Sequence, residues 1–117
     1  MKPMVLTIAL VGVLASNFAS AHAHLHASTP ANHSIVAEAP KQINLQFNEA
    51  VQLTAATIQK GDGAASKLGP LPVAAAKDFT LAAPALAPGT YIVKWRAMSD
   101  DGHIMSDKLL FTVGPTK

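Results

Sequence analysis

The chain has 117 residues, a formal net charge of +2, five histidines, no cysteine, and hydrophobic residues at half of its positions. That length suits a single domain. Zero cysteines exclude disulfides, iron–sulfur clusters, cysteine nucleophiles and copper centres of the His-Cys-Met kind.

In chain order, Lys2 precedes an apolar run from Val5 to Ala15, and Ala19-Ser20-Ala21 follows with the small-x-small pattern of a cleavage site. This reads as a secretory signal peptide over residues 1–21, too short and wrongly flanked for a membrane span. Its removal leaves 96 residues, 22–117, with eight basic and seven acidic side chains. A net charge of +1 excludes a nucleic-acid binder that works through bulk electrostatics. The mature protein is expected to be soluble and exported.

Beyond residue 40 the hydrophobic period is two. Ile43, Leu45 and Phe47 share one face of a predicted strand over 42–48. Tyr91, Val93, Trp95 and Ala97 point inward from another, with Lys94 and Arg96 outward, and Leu109, Phe111 and Val113 repeat the pattern. Weaker strands are expected at Val51 to Gln59 and Phe79 to Leu81, and Ala64 to Ala76 reads as a surface loop. Turn clusters lie at 60–63, 68–70, 87–89 and 100–102. Short alternating strands between Gly and Pro turns predict an all-β antiparallel sandwich or small barrel.

Four of the five histidines, His22, His24, His26 and His33, lie just after the predicted cleavage site, and His103 sits in a distant turn beside Asp101. Cleavage after Ala21 makes His22 the first residue, so its free amine and imidazole chelate one metal. The amine loses its proton to a metal readily near neutral pH. With Asp101 and His103, the set is three nitrogens and one oxygen, suited to tetragonal Cu(II). Copper(II) outcompetes zinc at such ligands. His26 and His33 read as solvated surface residues and Trp95 as core.

Alternatives remain open at this point. Cleavage after Ala23 would expose His24 instead. His24, third in a chain that starts at His22, also permits a square-planar wrap by amine, backbone amides and imidazole. If the segment is a strand, His22, His24 and His26 share one face, and His24 is an additional ligand or near neighbour. A loose histidine-rich tail, sticky to metals, is the plainest alternative.

His22-Ala23-His24-Leu25, Ser28-Thr29-Pro30-Ala31, Leu45-x-Phe47-x-Glu49 and Pro88-Gly89-Thr90-Tyr91-x-Val93-x-Trp95-Arg96-Ala97-x-Ser99-x-Asp101-x-His103 resemble the CopC family of periplasmic copper-binding proteins across essentially the whole mature chain. The resemblance implies a Greek-key β-barrel of about seven strands with immunoglobulin-like topology. It also implies one Cu(II) per chain, held by His22, Asp101 and His103, with Glu49 orienting a ligand or the amine. The Met-rich loop credited to some members with a Cu(I) site is missing here, which fits the Cu(II)-only subtype.

Together these readings describe a periplasmic, monomeric, non-enzymatic carrier. Its function would be copper homeostasis, resistance, or supply to a CopD-like inner-membrane partner. One competing reading is a copper-dependent oxidative enzyme with an N-terminal histidine brace, although Tyr91 and Trp95 both fall on the core face. Another is an adhesion or assembly domain without metal.

Overall fold

The computed structural model describes residues 23–114; the predicted signal peptide and His22 lie outside them. Seven strands form: β1 Leu25–Thr29, β2 Ser34–Val36, β3 Gln42–Lys60, β4 Ala65–Lys67, β5 Ala76–Ala82, β6 Gly89–Ser99 and β7 Ile104–Val113. The all-β sandwich expected from the alternation is therefore the fold.

The two strands anticipated at 42–48 and 51–59 are one element of 19 residues, β3. Its register shifts against β5 between Gln46 and Val51, and against β6 between Leu53 and Ala55. Such irregularities bend a strand and increase its twist, so the first part of β3 pairs with β1 and β5 and the second with β4 and β6. The sheet curls on itself into a small layer, β1-β3-β5, opposite a larger one, β4-β3-β6-β7-β2.

Pairing is antiparallel except that β2 runs parallel to β7, with Ile35 opposite Thr112. This departs from the all-antiparallel expectation. Residues 31–33 make the parallel approach: Asn32 Oδ1 accepts from the Leu110 N–H (2.9 Å) and the His33 N–H donates to the Leu110 carbonyl (2.6 Å). His33, at φ 66°, serves this loop. The expected loop at 64–76 also contains the short strand β4.

Alternation places Ile43, Leu45 and Phe47 from the small layer against Tyr91, Val93, Trp95, Ala97, Leu109 and Phe111 from the large one, all buried. Phe47 is the hinge pin. Its ring meets Phe79 edge-on at 5.9 Å and Trp95 edge-on at 5.0 Å between centroids, the geometry that aromatic quadrupoles favour. The Tyr91 hydroxyl donates back to the Ala87 carbonyl at 2.5 Å, an arrangement of the tyrosine-corner type that fixes the entry to β6. Replacing Phe47 removes contacts to both layers at once. Phe47→Ala is expected to cost about 3–5 kcal/mol, read as a lower denaturant midpoint; a loss below about 1 kcal/mol would show that the layers do not depend on this ring.

Candidate metal-binding hairpin

The β6–β7 connection is a four-residue hairpin loop, Asp100-Asp101-Gly102-His103. The Ser99 N–H donates to the His103 carbonyl and the Gly102 N–H to the Ser99 carbonyl, both at 2.9 Å. Gly102 has φ +87° with open space where a Cβ would stand, so any other residue is opposed by backbone conformation alone. This geometry, a turn closed by a left-handed residue, holds Asp101 and His103 together at the tip.

Asp101 is tied on both carboxylate oxygens. Oδ1 accepts from the Ser99 hydroxyl and from the His103 N–H at 3.3 Å, and Oδ2 lies 3.0 Å from His103 Nδ1. The Ser99 hydrogen bond chiefly, then the His103 backbone N–H and the His103 imidazole, hold the Asp101 carboxyl below the usual carboxylate range. Both side chains remain largely exposed, 64% for Asp101 and 71% for His103. Two donors each about 2.0–2.1 Å from one ion, at right angles, stand about 2.9 Å apart. The 3.0 Å separation already matches adjacent positions around a tetragonal metal.

An open cleft of about 470 Å³ lies over this tip, lined by Ala23, Glu49, Ser99, Asp101, His103 and Met105 among others. Ala23, the first described residue, is buried at its wall. Among the described residues no group of three His, Asp or Glu side chains converges as a metal site, so Glu49 shares the cleft without completing a ligand set. Met105 also packs against the core.

The other histidines lie apart. His24 precedes β1 and is held by Asn48, its N–H donating to Asn48 Oδ1 at 2.6 Å and its carbonyl accepting from the Asn48 N–H at 3.1 Å. His26 falls at the irregularity between Leu25 and Ala27 that interrupts β1 pairing, and it lines a different cleft with Trp95 and Asp107. Strict alternation of His24 and His26 on one strand face is thus broken. The motif by itself assigns Ser99 no role; its signal is the Ser-x-Asp spacing, which lets a short hydroxyl cross the turn.

A small β-sandwich with a carboxylate–imidazole pair at one end is the frame against which known proteins compare. The chain belongs to the CopC family: the family's CopC domain model matches residues 25–114. It is 36% identical to Copper resistance protein C of Pseudomonas syringae pv. tomato over 118 residues, covering 92% of each chain. Among solved structures, CopC from Methylosinus trichosporium OB3b matches with TM-score 0.71 and 33% identity, over 82% of this chain and 97% of that one. PcoC, a methionine-rich copper resistance protein from Escherichia coli, matches at TM-score 0.61 and 31% identity, over 79% and 98%.

Asp101's depressed pKa has a direct check. A carboxylate with a lowered folded pKa favours the folded state above its unfolded pKa, and that contribution disappears as pH falls through the folded value. In metal-free protein, the NMR titration midpoint of the Asp101 carboxyl carbon should lie below the usual carboxylate range and move up in Ser99→Ala. An unchanged midpoint in Ser99→Ala would remove Ser99 from the site.

Proposed function

We propose that this chain is an exported, periplasmic Cu(II)-binding protein that takes one ion per chain at His22, Asp101 and His103. It begins at His22 once residues 1–21 are removed, and residues 22–117 form one binding domain. The observation that carries this reading is Ala23 in the wall of the cleft that also contains Asp101 and His103. His22 is bonded to Ala23, with consecutive Cα atoms 3.8 Å apart, which supports assigning the amine and imidazole of a chain starting at His22 to the same cleft. The described residues supply one oxygen and one nitrogen; His22 adds two nitrogens and completes a set suited to tetragonal copper.

The residues themselves do three things. Ser99 and the His103 N–H keep Asp101 ionised and oriented toward the ion. Gly102 sets the spacing between the two donors. Glu49, in the same cleft, orients the His22 amine or a ligand through a hydrogen bond. The amide-wrapped alternative requires the His24 N–H to deprotonate, yet that N–H is engaged by Asn48; His24 is therefore a neighbour of the site rather than a principal ligand. Copper resistance, named for the relatives, fits a monomeric carrier that holds Cu(II) or passes it to a CopD-like inner-membrane protein. The oxidative-enzyme reading is disfavoured because Phe47, Phe79, Tyr91, Trp95 and Phe111, the aromatic residues among those described, are all buried, leaving no aromatic platform for a polymer.

The test is a copper competition titration on four samples: protein starting at His22, a form extended before His22, His103→Ala, and the His26→Ala/His33→Ala double variant. The extension turns the amine into an amide and breaks the His22 chelate. Extended protein and His103→Ala should each lose more than the roughly 10- to 100-fold that a change merely around a ligand costs, while the double variant stays near wild type. Equal affinity of the extended and processed forms would leave only the loose-tail reading.

A further inference from the structure

We propose that the outer face of the large layer, β4-β3-β6-β7-β2, is a docking surface for an anionic lipid bilayer. Residues 23–114 contain seven basic and seven acidic side chains and so carry no formal net charge. Their distribution is uneven. Lys67 pairs in register with Thr57, Thr57 with Lys94, and Lys94 with Lys108. Three cations thus stand in one row across four strands, about 14 Å long at the usual strand spacing. Arg96, two positions along β6, points the same way, and all four are exposed.

One acidic residue, Asp107, is exposed beside the row and lines an open pocket with Lys94 and Lys108, without an ion pair to either. The outward positions of β3, β6 and β7 beside the row are Gln59, Ile92, Met98, Ser106 and Leu110, and none of the four cations has an ion pair in the described structure. Lys94 directly opposite Lys108 is a like-charge pair that costs sheet stability, so folding does not explain it. The small layer's outer face differs: Gln42, Asn44, Gln46 and Thr80 are neutral, Asp78 opposite Gln46 is acidic, and Asn44 donates to Thr80 Oγ1 at 2.9 Å.

Aliphatic side chains accompany the cations. Ile35 is 77% exposed and Ile104 57% exposed. Register places both on this face, since Phe111 and Val113 point inward opposite Ser34 and Val36, and Ile104 follows the parity of Ser106 and Lys108. Four cations without ion pairs, against the single carboxylate of Asp107 and flanked by exposed isoleucines, suit a surface of lipid phosphates over acyl chains: the ammonium and guanidinium groups meet the phosphates and the isoleucines enter the boundary. A soluble acidic protein would match the charges and leave the isoleucines unexplained. Ile104 also borders the cleft over Asp101 and His103, so docking brings that cleft to the rim of the contact.

The experiment is sedimentation of the exported, processed protein with vesicles of phosphatidylglycerol in phosphatidylcholine, and with phosphatidylcholine alone. Binding is expected only to the anionic vesicles, weakening as salt is raised. Lys94→Glu/Arg96→Glu should lose at least about tenfold in affinity, and Ile35→Ser/Ile104→Ser should lose affinity with little change in salt dependence. Lys41→Glu/Lys77→Glu, an equal change of charge away from this face, should bind as wild type. Lys94→Glu alone replaces a repulsive cross-strand pair with an attractive one, so its melting temperature should hold or rise while its binding falls. Failure to bind anionic vesicles overturns the proposal, as does equal loss in the Lys41/Lys77 control. Binding to soluble polyglutamate without binding to vesicles also overturns it, in favour of an acidic protein partner.

Discussion

A tight turn with one left-handed glycine shapes the end of this molecule that carries the candidate metal-binding pair. Gly102 lets β6 reverse into β7 in a short loop that leaves both Asp101 and His103 at its tip, 3.0 Å apart between Oδ2 and Nδ1. A longer connection would separate them and raise the entropy of bringing them back together. The rest of the fold holds this turn still. β6 and β7 pair over ten residues from Gly89–Val113 to Met98–Ile104, and their inward side chains are locked in the core by Phe47 and its neighbours. Such preorganisation would favour metal binding, because the ordering of the donors is completed on folding rather than charged against binding.

The second consequence of the fold is that it brings the front of the chain to the same place. β1 pairs with the first half of β3, and His24 is pinned to Asn48 just before Glu49. That pinning delivers Ala23 to the cleft wall beside the hairpin tip, although some 75 residues separate the two in sequence. Under the proposed reading, a site divided between His22 and a late hairpin would couple metal binding to removal of residues 1–21, which alone would give the amine its free form.

Much of the fold was legible because half-buried strands write their exposure into alternate residues. Ile43-x-Leu45-x-Phe47 and Tyr91-x-Val93-x-Trp95-x-Ala97 declared both faces of the sandwich, and both patterns hold. The continuity of β3 was not legible, because Glu49 and Ala50 break the alternation at the bend where the strand passes between layers. β2 and β4 are three residues each, too short to show a period, and the parallel partner of β2 lies more than 70 residues away. At the site, Asp101 and His103 stood out through the family motif, since by spacing alone Asp100-Asp101-Gly102 reads as a plain turn, and Asp100 and Asp101 differ only in which way the turn points them. Ser99 was hidden because serine in a turn is ordinary; its role emerges only when its hydroxyl is seen on Asp101 Oδ1.

The central claim is that copper nitrogens come from His22 and His103 rather than from an unwound backbone. In that arrangement every nitrogen bound to the metal, amine and both imidazoles, belongs to histidine. Pulsed EPR of the Cu(II) protein, processed to His22 and labelled with 15N at histidine alone, measures this directly. Complete replacement of the directly coordinated 14N couplings by 15N is the expected result. A remaining strong 14N coupling, as the Ala23 amide would give in a wrap ending at His24, would contradict the claim.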